Sequence, residues 1–471
     1  MTIGLERLLL HMAWANQKTI EHLQTLPEAS LKAFATNPEW FVGEIVYHIV
    51  DSADHYAYRI SGIPALTQPD DPCIDVLKNI ADLERLKAQA AKVDAMLLNC
   101  VKLEDIQLEF VNNEGNQVKR WRSTILSQAI HHATEHRAQI ASALEAKGFK
   151  PVDLDELDLW SFEIYTESDR LKTLRSNKDK PRADYLSDRG RLIHGPTPPG
   201  GSKPSPRESD LTPEEVEEVL ELISTGRRNR TPVVMPERLR ARSWKSMEEV
   251  ILRLEYSLGW EGAGWKVGAA SLDVRKAENI PSPSPGRLFV RSIVNSPAEV
   301  PSEFFVNYRL CECEFAFQLG QDFPVRDKEY TEADLRAGIE YLAPVIEIGD
   351  SVFEDWYSLS GYFGGMYDNA GGAAFVIGKK TKDWADIDLP KSNIDLYVND
   401  NYIKSGQGYQ AMGHPVTSLT WMVNWVRERG RPVFAGEWVS TGTCTGHCFV
   451  QVGDLVSVDF GDLGLVEAKF V

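Results

Sequence analysis

Cysteine is scarce in this chain, with six in 471 residues. That is too few for the disulfide framework of a small secreted domain, so the thiols are expected to be free, as in a reducing cytoplasm. Nowhere does an apolar run approach the ~18–20 residues of a membrane-spanning helix. The opening MTIGLERLLLHMAWANQK places Glu6 early in a short apolar stretch and offers no small-residue cleavage site, unlike a secretory leader. Positive charge is also short: 51 Lys and Arg against 69 Asp and Glu give a net charge of −18. Such a surplus repels nucleic acid and anionic membrane, so neither is expected as a partner. A small anionic substrate is still allowed where a local cation cancels the field. The expected address is the cytoplasm.

What is present divides the chain. Its length suits two or three domains, and 43% hydrophobic with 25% charged residues is ordinary globular composition. Leu5, Leu8, Leu9 and Met12 recur at helical spacing, as do Ile45, Val46, Ile49 and Val50. Asp82 to Leu98 is rich in Ala, Leu, Lys and Glu, and Ser123 to Lys147 repeats that character up to Gly148. Four helices over residues 1–165 predict an all-α antiparallel bundle, with a hairpin at Gln107–Trp121 around Asn113-Glu114-Gly115. Residues 166–210 contain GPTPPGGSKPSPRES and read as a linker, because such a segment buries no core. At Thr212-Pro213-Glu214-Glu215 a new helix begins: a capping threonine, a proline in the first turn, and acids at the positive end of the dipole. Past Gly259 short apolar strands dominate (GWKVG, LFVRSIV, FFVNYRLCECEFAFQL, IDLYVN, LVSVDF), with helices at Glu332–Tyr341 and Pro415–Glu428. Residues 211–471 are therefore expected to form a mainly-β α+β domain.

Seven of the ten histidines lie in the first 136 residues. His132 and His136 are four apart and share one helix face, a spacing that lets two imidazoles grip one metal ion. His48, inside the apolar-periodic EIVYHIVDSADHY, is the candidate third ligand from another helix. The bland alternative is a bundle that only dimerises or docks. HMAWAN, YHIVDS and HHATEHRAQI resemble the DinB family of four-helix bundles. That resemblance implies a divalent transition metal (Zn²⁺, Ni²⁺ or Fe²⁺) on His48, His132 and His136, and thiol transfer or thiol-adduct isomerisation in some relatives. The usual His-Arg-Gly-Gln ending reads His136-Arg137-Ala138-Gln139 here.

The second half carries a different donor set. In a strand, Glu312 and Glu314 of Cys311-Glu312-Cys313-Glu314-Phe315 point to one face, where they repel unless a cation sits between them. Their flanks are too apolar for a solvated edge. Pro344-Val345-Ile346-Glu347-Ile348 places a further acid inside an apolar strand. Three carboxylates without an adjacent lysine suit Mg²⁺ or Mn²⁺ and leave coordination positions for substrate or water. The competing reading puts Glu312 and Glu314 on the solvent face of a half-exposed strand. A zinc site from Cys311, Cys313, Cys444, His447 and Cys448 is set aside, since alternation sends Cys311 and Cys313 to the face opposite the glutamates, as buried thiols.

WKVG (265–268), ECEFAF (312–317), PVIEI (344–348), DNAGGAAFVIG (368–378), HPVTSLTWMVNWVRERG (414–430), AGEWVSTGTCTG (435–446) and VSVDFGDLGLVEAKF (456–470) follow one another in family order. Together they resemble the 2-keto-4-pentenoate hydratase family, within the wider fumarylacetoacetase-type fold. The resemblance implies a C-terminal domain of the fumarylacetoacetase type and a metal-dependent lyase of aromatic-compound catabolism. Its reaction would add water to a 2-hydroxy-2,4-dienoate to give a 4-hydroxy-2-oxo acid. Glu312, Glu314 and Glu347 match the family's metal ligands. Lys266 matches the lysine that shuttles a proton during tautomerisation, and near a cation in an apolar site its pKa is expected to fall toward neutrality. Its bland role is a surface cation at a strand end. Asp368 is a catalytic candidate, and Asn369 is expected to position water or substrate. Ser440, Thr441 and Thr443 are expected to hold a substrate carboxylate.

The implied partners are a small 2-oxo acid or dienol and further copies of the chain in a homo-oligomer. Two stretches depart from the family: Asp350-Ser351-Val352 lacks the usual Arg, and Gly408-Tyr409-Gln410 stands where Cys-Asn-Gly is common. The alternatives are a 4-oxalocrotonate-type decarboxylase and an acylpyruvate or fumarylacetoacetate-type C–C hydrolase. The hydrolase calls for a His–Glu pair, with only His414 and His447 available in this half. A last alternative is a DinB-type thiol transferase or regulatory module with a degenerate C-terminal domain.

Overall fold

The helical spacing near the start becomes α1 (Leu5–Gln24), α2 (Val42–Ser61), α3 (Asp82–Cys100) and α4 (Arg122–Ala146). They are seen in a computed structural model that describes residues 4–62, 77, 79–112, 115–178, 210–239, 243–278, 280–354 and 366–471. The apolar stripes close on one core that includes Leu9, Met12, Ile45, Ile49, Val93 and Ile140. Between α3 and α4 lies the expected antiparallel hairpin, β1 (Gln107–Val111) and β2 (Gln117–Trp121). Asn113 and Glu114 of its turn lie outside the described residues. A further helix, α5 (Leu159–Asn177), continues past the expected boundary, so residues 166–177 are helical where a linker was expected. The Pro/Gly/Ser run at 195–209 lies outside the described residues. The chain divides into two compact units, Met1–Asp169 and Arg170–Val471.

The first unit buries a polar trio inside its apolar core: Asn16, Asp94 and Arg137 are all below a tenth exposed. Arg137 Nη1 donates to Asn16 Oδ1 at 2.7 Å. Burial pushes the Asp94 carboxyl up to about 7, against the pull of Arg137 and Asn16.

In the second unit α6 (Pro213–Asn229) starts at the capping threonine foreseen from sequence, and Thr212 and Glu215 form a capping box, exchanging side-chain and backbone hydrogen bonds. Val216, Val219 and Ile223 on α6 share a core with Met247, Val250 and Leu254 on α7 (Trp244–Leu258). The strands that follow are β3 (Gly262–Gly268), β4 (Ser284–Phe289), β5 (Ile293–Asn295), β6 (Ala298–Val300), β7 (Leu310–Leu319), β8 (Ile339–Gly349) and β9 (Gly372–Ile377). Then come β10 (Asn393–Val398), β11 (Asn401–Gln407), β12 (Trp438–Ser440), β13 (Cys448–Phe449), β14 (Leu455–Asp459) and β15 (Leu465–Phe470). One sheet has the order β4-β3-β12-β7-β8-β9-β5, with β13 beside β7, and the other runs β11-β10-β14-β15-β6. The helices here are α8 (Leu272–Glu278), α9 (Glu332–Gly338) and α10 (Pro415–Glu428). This is the mainly-β α+β architecture expected. Among the described residues no helix is long and apolar enough to cross a membrane.

Two elements differ from the pattern reading. The strand expected from Phe304 begins only at Leu310, because the Asp350 carboxylate captures the N–H groups of Val306, Asn307 and Tyr308 and bends that segment away from a ladder. The helix expected to reach Tyr341 stops at Gly338, where the chain enters β8.

Strand alternation then sorts the chemistry. Cys313, Phe315 and Phe317 of β7 face the main core with Ile346, Val456, Val458 and Val466. The opposite face of β7 and β8 carries the glutamates and, further along, a smaller apolar cluster with Ala316, Ala343 and Val345. The described cysteines are free and buried.

The Asp94 environment makes a prediction. Its folded pKa stands above the ordinary 3.8, so the stabilisation from protonation is complete below about pH 4 and is lost as pH rises through about 7. Asp94→Asn should flatten that slope, by up to on the order of 4 kcal/mol across the window at ~1.4 kcal/mol per pKa unit. Thermal melts of variant and parent between pH 4 and 8 check this; parallel pH profiles would exclude Asp94 as the titrating group.

Candidate metal centres and catalytic site

The antiparallel register of β7 and β8 sets Glu312 directly opposite Glu347, with Glu314 one step along the same face. One carboxylate oxygen from each of Glu312, Glu314 and Glu347 lies within 4.8 Å of the others. Glu314 and Glu347 are each 1% exposed. Ser440 Oγ and Gly442 N both donate to Glu314 Oε2, at 2.5 and 2.9 Å. His447 Nε2 stands 3.3 Å from Glu312 Oε1. Neither oxygen of Glu347 accepts a well-aligned hydrogen bond, although Lys266 Nζ lies 2.9 Å from one of them.

Burial raises the Glu314 carboxyl well above its usual range, and Glu347 and Glu312 push it further. Glu347 is likewise raised, by burial and by Glu312, against the pull of Lys266. Glu312 is lowered, because His447 and Lys266 outweigh its burial. Buried, mutually repelling, oxygen-only and incompletely hydrogen-bonded, this donor set fits a hard divalent cation.

Lys266, on β3, is buried rather than a surface cation. Its Nζ donates to Ala370 O at 2.6 Å besides pairing with Glu347. Beside the uncompensated carboxylates its pKa is raised: burial lowers it, but Glu347 and Glu312 outweigh burial, whereas the fall expected from sequence was for a lysine beside a bound cation. Ala370 presents its carbonyl from a left-handed backbone, φ 57° at Asn369 and 48° at Ala370. The Asn369 side chain pins that turn, accepting from Arg287 N (2.6 Å) and donating to Arg287 O (2.9 Å) and Gly372 O (3.0 Å).

Asp368 is engaged on both oxygens by Arg227, at 3.0 and 2.7 Å, and also accepts from Val352 N. Burial raises its carboxyl despite Arg227. The same guanidinium reaches the Asp350 carboxylate (3.0 Å) and the Asp350 carbonyl (3.1 Å). The cation that faces Asp350 thus arrives from α6.

The three expected carboxylate-binding hydroxyls have other partners. Ser440 holds Glu314, Thr441 Oγ1 donates to Phe315 O (2.8 Å), and Thr443 Oγ1 accepts from Gly446 N (3.0 Å). His414 caps α10 by accepting from Val416 N. His447 belongs to the glutamate cage, although from sequence it appeared only as a zinc or hydrolase candidate. Arg227 had no sequence signal, since an Arg-Arg-Asn-Arg helix end looks like a solvated terminus.

The first unit gathers His48, His132 and His136, with one ring nitrogen of each within 4.8 Å of the others. His136 Nε2 lies 3.0 Å from His132 Nε2. Burial together with the other imidazoles pulls His132 down to about 4, which keeps it neutral near pH 7. Burial also lowers His48. Gln139 Oε1 is 2.9 Å from His136 Nδ1 and accepts from Trp40 Nε1 at 2.8 Å. That contact puts the His136 proton on Nδ1 and turns the Nε2 lone pair toward the centre. Three converging imidazoles fit a borderline divalent metal. Gln139 stood in the motif quoted from sequence; Trp40 gave no signal.

Residues 1–169 match the sequence model of the DinB family. A 2-keto-4-pentenoate hydratase 1 of Dechloromonas aromatica (strain RCB) is 30% identical over 225 residues, 48% of this chain and 84% of that one. A 2-hydroxyhexa-2,4-dienoate hydratase of Comamonas testosteroni is 29% identical over 222 residues, 47% of this chain and 82% of the relative. Among solved structures, 4-oxalocrotonate decarboxylase from Pseudomonas putida G7, complexed with calcium and acetate, superposes with a TM-score of 0.50 at 23% identity. It covers 56% of this chain and 100% of its own, a likeness of fold.

Removing Arg227 would leave Asp350 and Asp368 buried together without their cation. Arg227→Leu is expected to cost about 3–5 kcal/mol, the range for breaking a buried ion pair from one side. The loss should shrink as pH falls and the stranded carboxylates protonate. Thermal melts at pH 5 and 8 test it; a variant as stable as the parent at both would remove Arg227 from the structural account.

Proposed function

The chain belongs to the 2-keto-4-pentenoate hydratase family, and from that membership we propose that its second unit is a divalent-metal-dependent hydratase acting on a 2-hydroxy-2,4-dienoate. The product would be the corresponding 4-hydroxy-2-oxo acid. One observation carries the reading: three glutamates, Glu314 and Glu347 buried and Glu312 largely so, converge within 4.8 Å, with the Lys266 ammonium 2.9 Å from one of them. Glu312, Glu314 and Glu347 would hold Mg²⁺ or Mn²⁺, which when bound supplies Lewis-acid stabilisation to a developing enolate.

The remaining roles belong to the chain itself. Ser440 and Gly442 N fix the Glu314 carboxylate, and β7–β8 pairing fixes Glu312 against Glu347. Lys266 carries the proton that moves during tautomerisation, held at Nζ and aimed by Ala370 O. Asp368 and Asn369 act as positioning residues, because their side chains are spent on holding the turn that presents Ala370. Burial of Lys266, Glu314 and Glu347 keeps bulk solvent from the cage, so the reacting water is admitted singly.

A second reading, C–C hydrolysis of an acylpyruvate-type acid, is favoured by one contact. His447 pairs with Glu312 at 3.3 Å and is 63% exposed, as a base that activates water near the cage would need. In the first unit His48, His132 and His136 would hold a divalent transition metal.

The test is an ultraviolet assay with Mg²⁺ or Mn²⁺ and freshly generated 2-hydroxypenta-2,4-dienoate. Metal-dependent loss of the dienol absorbance, with 4-hydroxy-2-oxopentanoate as product, is expected. Glu312→Ala and Glu347→Ala should lower the rate on the order of 1,000-fold. Unchanged turnover in either variant sinks the assignment. Acylpyruvate cleavage that His447→Ala abolishes, without dienoate turnover, selects the second reading.

Bound metal gives a separate readout. Elemental analysis should find two ions per chain, one lost in His136→Ala and the other in Glu347→Ala. Loss of both from either single variant would contradict two separate centres.

A further inference from the structure

Beside the three imidazoles of the first unit, a cavity of about 290 Å³ opens between α2, α4 and the β1–β2 hairpin. Three local periodicities build it. On α4, Thr124 and Gln128 sit four apart, and His132 follows one turn further along the same stripe. On α2, Tyr56 and Arg59 are three apart and line the cavity from the other side. On the hairpin, Phe110 is the register partner of Val118, and strand alternation puts Arg120 on that same face.

Tyr56 links this cavity to the candidate metal centre. Its ring meets His132 edge to face with centroids 5.8 Å apart, and Gln128 hydrogen-bonds its phenol. Along α2 the order runs His48, Tyr56, Arg59, so the arginine stands at the end remote from the imidazoles. The Arg59 guanidinium lies 4.9 Å over the Phe110 ring, and Arg120 joins it on the lining. Phe110, Val118 and Ile125 supply apolar wall. No Asp or Glu is among the described residues that line the cavity. Glu109 and Lys119, on the other face of the hairpin, pair with each other at 2.5 Å. In a chain of net charge −18, two guanidiniums lining a cavity without an acid reverse the sign locally.

We propose that this cavity binds the carboxylate end of a small organic acid whose other end brings an oxygen donor to the metal of the first unit. The proposal deepens the reading of His48, His132 and His136 as metal ligands and rests on it. Three protein donors leave a divalent ion an open position for such an oxygen. Arg59 and Arg120 offer planar forks that match a carboxylate in parallel hydrogen bonds. The apolar wall accepts the carbon chain between the two ends. Tyr56 and Gln128, next to His132, can hydrogen-bond a polar group adjoining the donor oxygen.

Calorimetric titration of the full-length, Zn²⁺-loaded protein tests the proposal, alongside elemental analysis of parent and variants. The probes are the monohydroxamates of adipate and suberate, each with a chelating end and a carboxylate end. Hexanohydroxamate and octanohydroxamate lack the carboxylate and serve as comparators. At least one probe should bind about tenfold more tightly than its comparator, the size of one charge-assisted contact. Arg59→Ala and Arg120→Ala should each remove that advantage while keeping the metal. His136→Ala should abolish it together with the metal, and Glu347→Ala should leave it within about twofold. A missing carboxylate advantage, or one that survives both arginine variants, overturns the proposal. Loss of the advantage in Glu347→Ala, with the arginine variants unaffected, would place the probe on the glutamate cage and also overturn it. If elemental analysis finds no ion that His136→Ala removes, the metal reading and the proposal fall together. An ion bound there without a carboxylate advantage defeats the proposal alone.

Discussion

Three carboxylates held within 4.8 Å of one another repel strongly in a dry interior, and much of the second unit is a response to that repulsion. Each glutamate is given its own partner: Ser440 and Gly442 N for Glu314, Lys266 for Glu347, His447 for Glu312. Lys266 in turn needs an acceptor, and Ala370 supplies it only from a left-handed turn. That turn is held by Asn369 and Asp368, and Asp368 is held by Arg227. A helix end more than a hundred residues upstream is thereby tied to the posture of the cage. Lys266 and His447 relieve that repulsion only in part, and a divalent ion seated among the three carboxylates would offset the rest.

The parts legible in the sequence are those governed by local period. Alternation in Cys311-Glu312-Cys313-Glu314 separates thiols from acids, and the structure sends the cysteines to the main core. The His132-x3-His136 spacing on α4 brings both rings to one face for the same kind of reason. The Thr212-Pro213 start of α6 was readable because capping chemistry is local too.

What stayed hidden depends on contacts distant in sequence. Arg227 lies 123 residues from Asp350 and 141 from Asp368, and nothing near it signals a buried ion pair. The hydroxyl of Ser440 was expected on a substrate, yet β12 lies beside β7 and brings it to Glu314 first. The Lys266 shift depends on distant contacts for a related reason. Burial and nearby carboxylates act in opposite senses on an ammonium, and sequence does not say how many acids will surround it. Asp350 escaped notice as a strand breaker, since its grip on Val306, Asn307 and Tyr308 exists only once β8 is in place.

The two units offer metals different chemistry, and the difference lies in the donor atoms more than in geometry. Carboxylate oxygens in a buried cage favour small hard cations, whereas neutral imidazoles favour borderline ones. By affinity alone a late transition metal would outcompete Mg²⁺ at many sites, so discrimination rests on charge and on how firmly each donor is aimed. In the cage the aim comes from strand pairing and from donors to Glu314; in the bundle it comes from Gln139, which fixes the His136 proton on the far nitrogen. Deprotonated imidazoles cost little in a half-buried site, because neutral rings carry no charge to desolvate. Three buried carboxylates cost a great deal unless compensated, which makes the cage the more demanding of the two and its lysine the indispensable neighbour.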